Sequence, residues 1–292
     1  MPDIKPDKMK VAFQGELGAY SEMAARSYFH ETVQVSPQPT FTDLFERVTS
    51  GSCTHGMVPI ENTVMGSIHE NYDHLLKNDL HIVGELKLRI MHNLIVNPGV
   101  RLEDIRHIYS HPAALAQCTK FTRSLTQAEA VVAYDTAGAV KNLKESGAKD
   151  AAAIASAQAA VDYDLEILKT GVENNHQNYT RFLIVTKTPV EPEDPAKISL
   201  VFAMKDVPGA LFKSLSAFAL RDINLLKIES RPLEGRPWEY AFYLDLEGHL
   251  GHEPCARAIE HLKEIATFVK ILGAYPQGEA VEGTVRSKIA SR

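Results

Sequence analysis

IRHIYSHPAALAQCTKFTRS (residues 105–124) and AVVAYDTAGAVKNLKESG (residues 130–147) each begin with a short apolar run and continue as an amphipathic segment. A further apolar run, AAAIAS, follows at residues 151–156. Short apolar runs predict buried strands, and longer amphipathic segments predict helices. Strands that alternate with helices are typical of an α/β domain with a largely parallel sheet. The alternation begins at residue 10, so we predict an α/β fold for residues 10–188.

A proline-rich segment, TPVEPEDPA at residues 188–196, interrupts this alternation. Its prolines and acidic residues predict a stiff linker at 189–196, because proline restricts its own backbone and that of its predecessor. Residues 197–276 then read as strand, helix, strand, strand, helix, strand, which is the ferredoxin-like arrangement. We expect residues 1–9 and 277–292 to be tails.

The composition is that of a globular protein and excludes several classes of function. The 292 residues carry a net charge of −6 without a lysine- and arginine-rich block, unlike a nucleic-acid binder. No apolar run is long enough to span a membrane, and the polar N-terminus lacks the apolar core of a signal peptide. The three cysteines are far apart, which argues against a disulfide framework. We therefore expect a cytoplasmic protein without nucleic-acid or membrane partners.

Polar side chains near predicted strand ends are candidates for a ligand site, because open α/β sheets bind ligands there. GELGAYSE (15–22) brings Ser21 to the start of a helix, and SHPA (110–113) does the same for Ser110 and His111. Helix N-termini favour anions. Each turn is also compatible with ordinary helix capping.

Two further stretches combine groups that can bind a carboxylate. IENT places Glu61, Asn62 and Thr63 after an apolar strand, and NYTRF joins Thr180 to Arg181. An arginine binds a carboxylate through two N–H groups, although a surface ion pair explains Arg181 equally well. The histidine spacings do not fit a metal site, and the glycine-rich turns match neither a phosphate-binding loop nor a dinucleotide motif.

In their order along the chain, these motifs resemble the monofunctional prephenate dehydratase family with a C-terminal ACT regulatory domain. The motifs that carry the resemblance are GELGAYSE (15–22), PIENTVMGSI (59–68), SHPAALAQC (110–118), NYTRF (178–182), PGAL (208–211) and ESRP (229–232). Together they extend over nearly the whole chain.

The resemblance implies a catalytic domain of two subdomains, similar to type II periplasmic binding proteins, with the active site in the cleft between them. We place one subdomain at 10–83 plus 176–188, the other at 84–175, and the ACT domain at 197–276. The implied reaction is decarboxylative dehydration of prephenate to phenylpyruvate in phenylalanine biosynthesis, by a hydro-lyase that needs no cofactor or metal. L-phenylalanine bound between ACT domains would inhibit a homodimer or homotetramer.

The resemblance also implies roles for individual residues. Thr180 would be the essential residue and would donate a hydrogen bond or a proton to the departing hydroxyl, while Arg181 would clamp the side-chain carboxylate. The other residues expected at the catalytic site are Ser21, Glu61, Asn62, Thr63 and His111. His111 is a candidate general acid or, alternatively, a polar residue that starts a helix. The residues expected to contact L-phenylalanine are Gly209, Ala210, Leu211, Asn224, Leu225 and Glu229.

Two other functions remain open on the sequence. An arogenate dehydratase would share the fold and act on the aminated substrate. A non-catalytic amino-acid sensor would combine a binding cleft with an ACT domain, but it would have no use for Thr180 in a TRF motif. No chorismate-mutase-like helical segment precedes residue 10, so we expect a monofunctional enzyme.

Overall fold

The structure is a computed structural model that describes residues 9–29, 33–192 and 196–286. Part of the expected linker, most of the expected N-terminal tail and residues 287–292 of the expected C-terminal tail therefore lie outside the described residues. Within these ranges, no helix is long and apolar enough to cross a bilayer. Cys53, Cys118 and Cys255 are buried and unpaired.

Strands and helices alternate along the chain, which confirms the predicted α/β class. The strands are β1 (Lys10–Gln14), β2 (Gln34–Gln38), β3 (His55–Asn62), β4 (Gly66–Ser67), β5 (His81–Arg89), β6 (Asn93–Val96), β7 (His107–Ser110), β8 (Glu129–Val132), β9 (Ala151–Ala155), β10 (Glu166–Thr170), β11 (Tyr179–Thr186), β12 (Ala196–Ala203), β13 (Leu225–Pro232), β14 (Tyr240–Glu247), β15 (Phe268–Pro276) and β16 (Ala280–Val281). The helices are α1 (Tyr20–Phe29), α2 (Phe41–Thr49), α3 (His69–Lys77), α4 (Pro112–Gln117), α5 (Thr119–Ser124), α6 (Thr136–Ser146), α7 (Ala157–Asp162), α8 (Ala210–Ala219) and α9 (Glu253–Ile265).

The first lobe is built on a sheet with the strand order β16–β5–β11–β3–β1–β2, and β4 pairs with β3. β1 is parallel to β2 and β3, whereas β11 runs antiparallel to β3 and β5, so the sheet is mixed rather than largely parallel. The ladder between β5 and β11 continues from His81 to Arg89. The expected subdomain boundary between residues 83 and 84 is therefore wrong, because it would cut this ladder; the boundary lies after Arg89.

The second lobe has the strand order β10–β6–β9–β7–β8. It touches the first lobe closely at Gly18, whose φ of +84° favours glycine. A Cβ atom on Gly18 would lie 2.6 Å from the Cα of Ala159, and the Ser156 hydroxyl donates to the Gly18 carbonyl at 2.5 Å. The two lobes are thus fixed against each other at this turn.

The C-terminal domain is an antiparallel sheet in the order β13–β14–β12–β15, with α8 and α9 against one face. Its other face packs on the first lobe. Leu183 of β11 shares an apolar cluster there with Val201 and Leu272 of the C-terminal sheet. A Cβ on Gly273 would lie 2.1 Å from the Ile82 carbonyl oxygen, so the two sheets approach at backbone distance. The domains therefore share one continuous core.

Residues 277–286 return to the first two lobes, so the expectation of a tail is wrong for this segment. β16 adds a parallel strand to β5. Arg286 then pairs with Glu22 of α1 at 2.5 Å and with Asp162 of α7 at 3.5 Å. Because α1 belongs to one lobe and α7 to the other, this segment connects all three parts of the molecule.

Candidate active site

A cleft of about 530 Å³ opens between the two lobes. Residues near the ends of β1, β3 and β11 line one side, and the starts of α4 and α6 line the other. Of the residues that the sequence predicts for the catalytic site, Ser21, Asn62, His111 and Thr180 line this cleft.

Thr180 lies in the cleft wall with its hydroxyl held in one orientation. Asn62 Oδ1 accepts the backbone amides of Val64 and Met65, both at 2.9 Å, so the Asn62 Nδ2 group must face the other way. From there it donates to Thr180 Oγ1 at 3.0 Å. Among the described residues, nothing accepts the hydroxyl hydrogen of Thr180. That hydrogen is therefore available to a ligand in the cleft.

Further polar side chains continue this network, and sequence reasoning missed them. Asn178 accepts from Asn62 at 2.7 Å and donates to Gln117 Oε1 at 2.9 Å. Gln117 Oε1 lies 2.8 Å from His92 Nε2, and His92 Nδ1 lies 3.0 Å from the Tyr20 hydroxyl. A signal was available for three of these residues, because Tyr20 lies in GELGAYSE, Gln117 in SHPAALAQC and Asn178 in NYTRF.

The described residues that line the cleft include carboxylates and two histidines but no lysine or arginine. The carboxylate of Asp135 caps α6 by accepting the amides of Ala137 and Gly138. His111 caps α4, because its Nδ1 accepts the Ala113 amide at 3.2 Å. Burial lowers the pKa of His111, and Asp135 only partly offsets this effect. In the described parts of the chain, no three histidine, cysteine or acidic residues are grouped to hold a metal ion.

Arg181 does not reach the cleft, so the prediction that it clamps a substrate carboxylate fails. Successive strand residues point to opposite faces of a sheet, and Thr180 occupies the cleft face. Arg181 instead extends between the first lobe and the C-terminal domain, where it is 7% exposed. Its guanidinium lies 2.6 Å from Glu85 and 2.6 Å from Asp245.

Glu61 and Thr63 also lie outside the cleft, contrary to the prediction. Glu61 alternates with Asn62 along β3 and points to the C-terminal domain, where it pairs with Lys227 at 2.5 Å. Thr63 is exposed; its hydroxyl donates to the Gln177 carbonyl at 3.0 Å and accepts the Tyr179 amide at 2.9 Å. Thr63 thus fixes the loop before β11 rather than a ligand.

A second hollow, of about 270 Å³, lies at the start of α8 in the C-terminal domain. Gly209, Ala210 and Leu211 line it, together with Trp238. Gly209 has a φ of +76° and begins α8 without a side-chain cap. The Ala210 amide donates to the Val207 carbonyl at 3.1 Å, whereas the next two amides, of Leu211 and Phe212, have no acceptor among the described residues and are open to an anion.

The other residues predicted to contact phenylalanine do not line this hollow. Asn224 and Leu225 lie at the start of β13. Glu229 points to the first lobe, where it accepts from the Ser67 hydroxyl at 2.5 Å and lies 3.7 Å from Lys227. Its carboxylate is thus occupied by the contact between the domains.

The sequence profile of prephenate dehydratase matches residues 11–190. This chain belongs to the prephenate dehydratase family. It is therefore a dehydratase of the lyase class, and its biosynthetic context is phenylalanine formation.

Individual relatives are similar to this dehydratase over most of its length. The chloroplastic arogenate dehydratase/prephenate dehydratase 2 of Arabidopsis thaliana is 44% identical over 92% of this chain and 73% of its own length. A prephenate dehydratase from Arthrobacter aurescens, solved in complex with L-Phe, is 31% identical, with a TM-score of 0.84 over 91% of this chain and 90% of its own. GqqA, described as a novel type of quorum quenching acylase, is 37% identical, with a TM-score of 0.83 over 92% of this chain and 98% of its own.

Proposed function

We propose that this dehydratase converts prephenate to phenylpyruvate in the cleft between the two lobes. The observation that carries the proposal is the Thr180 hydroxyl, which accepts from Asn62 and leaves its hydrogen free. A donor held in this way can stabilise charge as it develops on the departing hydroxyl oxygen. Removal of that hydroxyl and of the ring carboxylate produces the aromatic ring.

The absence of lysine and arginine from the described cleft lining fits this chemistry. The substrate carries two carboxylates, and the one on the ring must leave as neutral carbon dioxide. A fixed cation would stabilise that carboxylate before reaction more than in the transition state, and so would slow its loss. Neutral donors, such as the Ser21 hydroxyl and the first amides of α1, hold an anion without this penalty.

Substitution of Thr180 tests the proposal. Thr180→Val preserves the shape of the side chain and should lower kcat by about 100-fold or more, because it removes one aligned donor. Thr180→Ser should retain most of the rate. Thr186→Val is the matched control, since Thr186 lies on the same strand and its hydroxyl bonds to the Thr54 carbonyl away from the cleft. Normal turnover of prephenate by Thr180→Val would overturn the role of this hydroxyl.

Arogenate is the second candidate substrate, and two observations favour it. The Arabidopsis relative is named for both activities. The cleft lining also includes the carboxylates of Glu70 and Asp135, which suit the ammonium group that arogenate carries. The values of kcat/KM for the two substrates, measured with one enzyme preparation, decide between them.

Acyl transfer is not favoured, although one structural relative is described as an acylase. A serine or threonine nucleophile needs a base within hydrogen-bonding distance. In the residues that the structure describes, no histidine or carboxylate bonds to the hydroxyl of Ser21 or Thr180.

We infer that the C-terminal domain is an ACT domain whose hollow at Gly209–Leu211 binds L-phenylalanine as a feedback inhibitor. The hollow supplies the open amides of Leu211 and Phe212 for a carboxylate, and the side chains of Leu211 and Trp238 supply apolar surface for a ring. The Arthrobacter relative was solved with L-Phe, which supports this ligand.

We further propose a cytoplasmic homodimer or homotetramer held by these domains. Sedimentation with and without L-phenylalanine tests the assembly, and loss of inhibition in Leu211→Asp tests the site.

A further inference from the structure

The proposed reaction consumes a proton. The carbon–oxygen bond breaks with its electron pair on the oxygen, and the bond to the ring carboxylate breaks with its pair entering the ring. The prephenate dianion and one proton thus give the phenylpyruvate anion, carbon dioxide and water. A threonine hydroxyl is too weak an acid to provide this proton unless a second group restores it. The cleft therefore needs another group that holds a proton.

The hydrogen bonds around His92 identify a position for that proton. Gln117 Oε1 accepts from Asn178, so the His92 Nε2 atom that faces the same oxygen must carry a hydrogen. In a neutral ring Nδ1 is then an acceptor. The Tyr20 hydroxyl lies 3.0 Å from this Nδ1 and 2.7 Å from the Met91 carbonyl oxygen. The single hydroxyl hydrogen of Tyr20 cannot be donated to both the Nδ1 atom of His92 and the Met91 carbonyl oxygen.

A second proton on the ring removes this conflict. With a hydrogen on Nδ1, His92 donates to the Tyr20 oxygen, and the tyrosine hydrogen donates to Met91. His111, the other histidine of the cleft, differs in this respect. Its Nδ1 accepts the Ala113 amide, so a proton there would break the cap of α4. The hydrogen bonds therefore favour protonation of His92 over His111.

We propose that His92, bonded to Tyr20, takes up the proton that the reaction consumes when the dianionic substrate enters the cleft. This proposal rests on the proposed function. Because no lysine or arginine is among the described lining residues, the substrate charge acts on His92 without a fixed cation to neutralise it. His92 is 2% exposed and lines the cleft, so a ring proton is shielded from bulk water but close to the ligand.

In the free enzyme, the surroundings of His92 favour its neutral form. Burial lowers the pKa of His92, while the Gln117 hydrogen bond and the Glu173 carboxylate oppose this shift. Glu173 is the acidic group nearest in the network, since it accepts the His92 backbone amide at 2.9 Å and pairs with His176 at 3.2 Å. The other titratable groups packed here are the half-buried Tyr20 and the buried Cys118, and desolvation raises the pKa of both.

The test is the pH dependence of kcat/KM between about pH 5 and pH 9, which reports groups of the free enzyme. In the wild-type enzyme kcat/KM should fall about tenfold per pH unit above the pKa of free His92. His92→Gln keeps a donor toward Gln117 but cannot hold the proton. Near pH 5 the kcat/KM of this variant should be about 100-fold lower than that of the wild-type enzyme, and its kcat/KM should not decline as the pH rises. His111→Gln is the matched control and should keep the decline.

Tyr20→Phe provides a second, milder variant if His92→Gln does not fold. It removes the oxygen that accepts from the charged ring, so the decline should begin at a lower pH. An unchanged profile in both variants, or a flat profile in the wild-type enzyme, would overturn the assignment to His92. Failure of the wild-type enzyme to turn over either prephenate or arogenate would instead overturn the proposed function, and this inference with it.

Discussion

Replacement of Glu85 by glutamine should destabilise the protein strongly, because the Glu85 carboxylate forms ion pairs with two buried cations. Glu85 is 2% exposed and lies 2.6 Å from Arg181 Nε. Lys197 Nζ lies 2.8 and 2.9 Å from its two oxygens, and the Gly278 amide donates to it at 3.0 Å. Glutamine preserves the shape, but Lys197 then has no carboxylate at hydrogen-bonding distance among the described residues, while Arg181 keeps Asp245 and the half-buried Glu61.

The cost of this change follows from the burial of the cations, whose side chains are 8% and 5% exposed. Removal of one partner from a buried ion pair costs about 3–5 kcal/mol. For a chain of this size that corresponds to a fall in Tm of about 10 °C, measured by circular dichroism. Glu234→Gln is the matched control, because the exposed pair between Lys77 and Glu234 joins the same two domains. It should not shift the Tm measurably.

A Tm for Glu85→Gln within about 1 °C of the wild type would refute the reasoning, because loss of a charge from a buried ion-pair network should lower the free energy of unfolding by about 3–5 kcal/mol. A double variant sharpens the test. Adding Lys197→Met to Glu85→Gln removes the second unpaired cation, so part of the lost Tm should return. A further loss in the double variant would mean that Lys197 contributes by packing rather than by charge.

Three other predictions follow from the same structure. Gly18→Ala would place a Cβ 2.6 Å from Ala159 and separate the lobes, so kcat/KM should fall at least about tenfold; unchanged turnover would contradict this. Trp238 is the single tryptophan and lines the C-terminal hollow, so titration with L-phenylalanine should change its fluorescence saturably, and a flat titration of an inhibited enzyme would place the effector elsewhere. Burial alone would raise the pKa of Glu85, but its cationic neighbours hold it below the usual value of 4.5. The free energy of unfolding should therefore fall as the pH drops below about 4.5, and less steeply in Glu85→Gln.

The sequence predicted which strands carry the site better than it predicted which side chains face it. Thr180 and Arg181 are neighbours in one motif, and the period of a strand places them on opposite faces. That alternation was hidden, because β11 is apolar after Arg181 and buried on both faces. A strand covered on both sides has no polar face to indicate its orientation. The same reason applies to β3, which is also buried on both faces, so the sequence did not show that Asn62 faces the cleft while Glu61 faces away from it.

Contacts between residues that are far apart along the chain could not be predicted from the sequence. His92 meets Gln117 and Tyr20 because the loop after β5, the end of α4 and the start of α1 converge at the cleft. No local pattern in the sequence indicates that these three residues are partners. β16 is two residues long and pairs through its backbone, so its side chains carry almost no signal. Fold class, by contrast, depends on repeated local alternation, which the sequence displays directly.

The return of the chain to its first sheet affects how this protein can be divided. The family profile ends at residue 190, which invites expression of the first two lobes alone. Such a fragment would lack β16, and the outer edge of β5 would then expose its unpaired amides and carbonyls. An uncovered edge strand recruits other chains and promotes aggregation. A fragment that is to remain monodisperse should therefore carry residues 277–286 back on a short linker.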